Sequence, residues 1–260
     1  MRRDMDDAIQ GWPYDPVPGE VIAREVRARD GRMVIQVRVE LGVLQLEVTG
    51  RPDGTRPHGF ATYLDYLRYR AAGRGNDAAA SSGIVKPSIW TMLPEHGAGA
   101  DREFVQFYHR RVAWLALQRY ERALMDADHT LTLMDFVVRH GSTEEYIDTH
   151  ERFRGLVLYH RTQAAVALAL ERRKPDEAID VVHDGIEKLS RHHETWAVDH
   201  EHLETPNQSL MEQLRIWNVD IRKNYSVEKT LRERLDEAVE NENYELAARL
   251  RDQIRLRQIR

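Results

Sequence analysis

Apolar and polar positions alternate between Glu20 and Gly50. The run "EVIAREVRA" leads into Asp30-Gly31, a favoured two-residue hairpin turn. In "MVIQVRVELGVLQLEVTG" Met33, Ile35, Val37 and Val39 share one parity, and after Gly42 the apolar parity shifts to Leu44, Leu46 and Val48. A one-residue slip moves every side chain to the other face, so Gly42 marks a bulge or a tight turn. The segment predicts a small antiparallel unit of three strands, which needs a helix to cover it. The residues up to Pro18, with Trp12, Pro13 and Pro16, read as an irregular arm.

Beyond the turn-rich "GRPDGTRPHGF", the pattern changes. "ATYLDYLRYRA" predicts a short helix with Tyr63, Tyr66 and Leu67 on one side. Residues 72–102 are rich in Gly, Ala and Ser and read as a linker or long loop, with Trp90, Met92 and Leu93 able to anchor its middle. From Glu103 apolar residues recur three and four apart (Val112, Leu115, Ala116; Ala123, Ala127, Leu131, Met134), which is helical spacing. "RYERALMDADHTLTL" and "KPDEAIDVVHDGIEKL" superpose on Ala123 and Ala178, each after an apolar helix. Opening the second helix of a pair with Tyr-Glu-x-Ala or Pro-Asp-Glu-Ala resembles tetratricopeptide (TPR) repeats. The spacing exceeds the usual repeat of roughly 34 residues, so an insertion around "RHGSTEEYIDTHE" separates the pairs. An ordinary four-helix arrangement is the alternative.

Residues 228–260 read as two helices. In "EKTLRERLDEAVE" Leu231, Leu235, Ala238 and Val239 share a face; "NEN" breaks the helix, and Asn243 is placed to cap the next. The second helix brings Tyr244, Ala247, Ala248, Leu250, Arg251 and Ile254 toward the same seam, and the short loop predicts a helical hairpin. Residues 228–242 carry six acids and three bases, and residues 244–260 two acids and five bases. The arms should attract each other, or the opposite arms of a second hairpin. So short a hairpin needs further packing, from its own chain, a copy or another protein.

"LRERLDEAVENENYELAARLRDQI" closely resembles the UVR motif, the hairpin at the C-terminus of UvrB and inside UvrC. The positions that carry the resemblance are Leu231, Leu235, Ala238 and Val239, then Tyr244, Glu245, Ala247, Ala248, Arg251, Asp252 and Ile254. Val239 stands where Ala is commoner, and Tyr244 where Phe is commoner. The resemblance implies docking of one protein on another, as UVR pairs with UVR, and related motifs occur in ClpC chaperones and McsA-type regulators. The whole chain resembles bacterial proteins that join a small β N-terminus, TPR-like helices and a terminal UVR motif, a group for which the resemblance implies no activity.

Composition removes several classes. There is no cysteine, so disulfides, thiolate zinc sites and Fe–S clusters are excluded. No Gly-rich loop ends in Lys-Ser/Thr, which excludes the ATPase of UvrB. A net charge of −5 gives no general field for nucleic acid. Long apolar runs and a signal-like N-terminus are lacking, so no membrane segment is expected and a cytoplasmic setting is the default.

Four other motifs have competing readings. His192, His193, His200 and His202, with Glu194, Asp199 and Glu201, invite a metal, yet their spacing fits no zinc pattern and a polar helix end is the better reading. "RPDG" and "RPHG" (Arg51–Gly54, Arg56–Gly59) could bind an anion, but are better read as turns. Tyr66, Arg68, Tyr69 and Arg70 could stack on single-stranded nucleic acid or cover a sheet. Tyr-His-Arg recurs in "FYHRRVAW" (His109, Arg110, Arg111) and "LYHRTQ" (His160, Arg161), either lining a groove for an acidic peptide or structural, with Tyr108 and Tyr159 as core. Asp126 and Asp180 are then candidate salt-bridge partners.

The sequence thus predicts an α+β protein, mostly α. A small antiparallel β-unit with a helix (1–71) is followed by a linker (72–102), TPR-like helices (103–225) and a UVR helical hairpin (226–260). The expected function is non-enzymatic docking of a UvrB/UvrC-like protein, a Clp-type protein or a second copy. Leu231, Leu235, Ala238, Tyr244, Glu245, Ala247, Ala248, Arg251, Asp252 and Ile254 would carry it, with no cofactor or metal. A nucleic-acid-binding accessory factor in DNA repair is the alternative.

Overall fold

The computed structural model describes residues 9–15, 17, 19–73, 90–196 and 207–258. It divides into two compact units, Met1–Val157 and Leu158–Arg260.

In the first unit, β1 (Ala23–Arg27), β2 (Met33–Val39) and β3 (Gly42–Glu47) form an antiparallel sheet in the order β1-β2-β3. The parity shift is a tight turn: Val39 pairs with Gly42 across Glu40 and Leu41, so Ile35 faces Leu46 and Val37 faces Leu44 across the strands. Val34, of the opposite parity, is buried too, whereas Met33 is exposed. The arm covers part of this second face. Arg24 lies 4.0 Å over the Trp12 ring, and buried Arg38 donates to Trp12 O at 2.9 Å and to Gly42 O at 2.9 Å.

Helix α1 (Tyr63–Ala71) starts at Thr62, whose hydroxyl accepts the Asp65 N–H. A second cap comes from far along the chain. The fully buried Glu103 carboxylate takes the N–H groups of Tyr63 and Leu64 and lies 3.0 Å from His129 Nε2. Helices α2 (Pro94–Ala116) and α3 (Tyr120–His140) form an antiparallel pair, followed by short α4 (Glu144–Glu151). The start of α2 corrects the expected linker. "HGAGA" is helix, because Pro94 opens it and its small residues accept close neighbours: a Cβ on Gly99 would stand 2.2 Å from Tyr63 Cζ. Met92, in the same stretch, is core beside Tyr63, Tyr66 and Leu67. Residues 74–89 of that expected linker lie outside the described residues.

Helix α5 (Arg154–Glu171) begins in the first unit and continues into the second. There α6 (Pro175–Trp196) approaches it so closely that a Cβ on Gly185 would stand 2.5 Å from Thr162 Oγ1. Helix α7 (Asn207–Tyr225) packs along α6, and α8 (Leu231–Glu240) with α9 (Tyr244–Gln258) forms the terminal hairpin. Arg110 ties the first helical pair to the sheet through Glu47 O and Gly50 O, at 2.9 and 2.8 Å.

Several helix ends share one device. Gln118, Arg173, Ser226 and Glu242 all have left-handed φ (55 to 57°). Each is followed by an N–H that reaches back five residues, as from Asn243 to Ala238 O at 2.8 Å.

Candidate functional site, the C-terminal hairpin

Thr230 and Glu233 begin the hairpin with a reciprocal cap. The hydroxyl accepts the Glu233 N–H, and the Glu233 carboxylate accepts the Thr230 N–H at 2.8 Å. Ten residues later the chain turns through Asn241–Asn243, and Asn243 Oδ1 accepts the Leu246 N–H at 3.1 Å, the expected cap. The two helices close on Ala238, Ala247 and Leu250, with Leu231 and Leu235 packed against them. Small alanines let the helices approach, and Leu250 fills the centre at 2 % exposure.

The expected docking residues therefore separate into three groups. Ala238 and Ala247 are interior, and Leu250, absent from that expected set, joins them. Leu231, Leu235 and Ile254 line a groove of about 1060 Å³ whose other wall is α6, with Val181, Asp180 and Asp184. Tyr244, Glu245, Arg251 and Asp252 face solvent, Tyr244 at 68 % exposure, and Ala248 lies half-buried beside them.

Charge is arranged differently from the expectation that the arms attract. Glu245 pairs with Arg249 along α9, and Arg251 with its neighbour Asp252 at 3.2 Å. The acidic arm is instead tied to the helices before it. Thr230 Oγ1 donates to Asp180 at 2.7 Å, Arg232 pairs with Asp184 at 2.6 Å, and Arg222 bonds Glu233 and Glu228 O. Burial pushes the Asp180 carboxyl above its usual value, although Thr230 and Arg232 oppose it. Burial also pushes Glu233 up, but the Thr230 N–H and Arg222 outweigh it and hold this carboxyl below its usual value. The hairpin is thus held on its own unit through α8, while α9 presents the motif's polar signature outward.

The other candidate motifs resolve as follows. Arg110 takes both oxygens of the expected partner Asp126, at 2.8 and 2.7 Å, both side chains being buried. Asp180, the other expected partner, accepts instead from Thr230. Tyr108 is partly exposed rather than core, and Tyr159 donates to Gln213 at 2.6 Å and lies against Trp217. Of the stripe Tyr66, Arg68, Tyr69 and Arg70, Tyr66 is core beside Tyr63, whereas Arg68 and Tyr69 are exposed and Arg70 is half-buried. Asp53 Oδ1 accepts from Thr55 N and Oγ1, which makes "RPDG" a turn, and Arg51 beside it is buried. His192 is buried against Trp196 and bonds Asn207 at 3.1 Å. His200 and His202 lie outside the described residues, and among the described residues no group of His, Asp and Glu is arranged to hold a metal. No helix among them is long and apolar enough to cross a membrane.

Thr230-x-x-Glu233 was available to sequence reading as a capping box. Its bond to Asp180, fifty positions away, had no local signal. Comparison with curated proteins and with solved structures gives no match. Residues 229–257 match the family model of the UvrB/uvrC motif, and the hairpin of α8 and α9 carries that protein-interaction module.

Proposed function

We propose that the protein is a non-enzymatic, cytoplasmic adaptor that docks a partner protein through the outer face of its UVR hairpin. The reading is carried by one observation. The hairpin satisfies its own apolar core with Ala238, Ala247 and Leu250, yet leaves Tyr244, Glu245, Arg251 and Asp252 in solvent. Exposed tyrosine and arginine are residue types that anchor interfaces. Tethering through α8 also removes much of the freedom that binding would otherwise have to restrict. The partner classes implied by the motif are a UvrB/UvrC-like protein, a Clp-type protein or a second copy.

The test compares wild type with a Tyr244→Ala, Arg251→Glu double variant as baits in a pull-down, and in sedimentation for self-association. The expected result is an unchanged melting temperature with loss of one specific partner or of the dimer. Retention of every captured protein and of the oligomeric state by the double variant would sink the proposal.

A further inference from the structure

We propose that the first unit binds a phosphate group in the polar cavity between the loop after β3 and the turn from β1 to β2. The cavity has a volume of about 360 Å³, within the range of small-molecule sites. Three arginines, Arg32, Arg51 and Arg56, stand on its wall with a single carboxylate, Glu47. Arg32 is held by Asp30 and by that Glu47. The other two arginines come from the loop itself. Asp53 Oδ1 takes the N–H and the hydroxyl of Thr55, and Gly54 turns the chain at φ 73°. Arg51 and Arg56, on either side of this turn, both reach the cavity.

Arg51 is 6 % exposed, and its partners lie along one edge of the guanidinium. Nε donates to Gln106 Oε1 at 3.1 Å and faces the carboxylates of Asp53 and Glu103 at 3.6 and 3.9 Å. Both carboxylates are already engaged by other donors, Asp53 by Thr55 and Gln106, Glu103 by the first amides of α1. Nη2, at the other end of the guanidinium, is buried and has no hydrogen-bond partner among the described residues. A buried donor without an acceptor is costly, and an arginine fork offers its N–H groups in the geometry of an oxyanion. Arg56 is exposed and forms no ion pair among the described residues. Thr49, on the same wall, adds a hydroxyl. A tetrahedral phosphate accepts from several directions at once, whereas a carboxylate offers two oxygens in one plane. Donors drawn from Thr49, Arg51 and Arg56 suit the phosphate. This assignment concerns the first unit and does not depend on the docking function of the hairpin.

Calorimetric titration of the full chain with inorganic phosphate and with acetate tests it. Phosphate should bind one site per chain, and acetate roughly tenfold to a hundredfold more weakly, the worth of a hydrogen bond to a charged group. Arg56 is exposed, so Arg56→Gln keeps the fold and should weaken phosphate by roughly the same factor. Arg68, exposed on α1 and not on the cavity wall, is the control, and Arg68→Gln should leave binding unchanged. Arg51→Gln should abolish binding; if it does not fold, the Arg56 and Arg68 variants decide alone. Glycerol phosphate distinguishes the sources of the group. Tighter binding than the inorganic ion marks a phosphate carried on a small molecule, and equal or weaker binding marks the free ion. Equal affinity for phosphate and acetate, or no phosphate binding, would overturn the proposal. Undiminished binding by Arg56→Gln, or an equal loss in Arg68→Gln, would overturn it as well.

Discussion

Thr230 Oγ1 donates to Asp180 at 2.7 Å while accepting the Glu233 N–H at 3.2 Å, so one hydroxyl both caps α8 and fastens it to α6. Thr230→Val keeps the shape and loses both bonds. The hairpin should lose about 2 kcal/mol, read as faster amide exchange in α8 and α9 with little change in the sheet. Uniform acceleration across the protein would contradict a local fastening.

The two carboxyls at this joint respond to pH in opposite directions. Asp180 has a raised value, so its ionised form is a cost that is absent below the usual aspartate value and grows as pH rises through its own. Asp180→Asn still accepts from Thr230 and should raise the melting temperature at neutral pH, with the gain vanishing in acid. Glu233 has a lowered value, so its contribution is present above the usual glutamate value and is lost as pH falls through its own. Glu233→Gln should therefore be destabilising at neutral pH and indistinguishable from wild type in strong acid. Thermal melts across the acid range of both variants check the signs.

Arg110 and Asp126 form a buried two-bond pair. Removing one member leaves a charge without its partner in the core. Arg110→Met should cost about 3–5 kcal/mol in chemical denaturation. The double change Arg110→Met, Asp126→Leu should recover a large part of that, because no charge is then stranded.

Glycine in a helix interior is ordinarily improved by alanine, by up to about 1 kcal/mol. At Gly99 and Gly185 the sign should reverse, because the new methyl would meet Tyr63 at 2.2 Å and Thr162 Oγ1 at 2.5 Å. A loss of about 1–3 kcal/mol is expected for each alanine variant in urea melts.

Glu242 carries a side chain in the left-handed region, φ 56°. Glu242→Gly removes that strain and should stabilise the hairpin by about 0.5–1 kcal/mol. Amide exchange in α9 would show it as added protection.

Elements set by short-range pattern were readable in the sequence. Alternation gave the three strands, and Asn243 gave the break between α8 and α9. The start of α2 was not readable, since "HGAGA" looks like a linker until Tyr63 is known to lie against it. The pairing of Arg110 with Asp126 was readable as a candidate, but the burial of Arg110 and Arg111 was not, because no local pattern marks a charge as interior. The docking set was legible as residue types but not as faces: one helical turn separates interior Ala247 from exposed Arg251, and only the closed hairpin distinguishes them.

Helix α1 has nine residues, too few to persist alone in water. Its first amides are held by the Glu103 carboxylate, which sits 40 and 39 positions downstream. Such a helix is completed only after α2 has delivered its side chain, and α2 in turn needs α3 to position His129. In the order of folding, this early segment of the chain is a late arrival. Ribosomal synthesis would release it well before the groups that hold it exist, so its tyrosines stay uncovered until the first helical pair has formed.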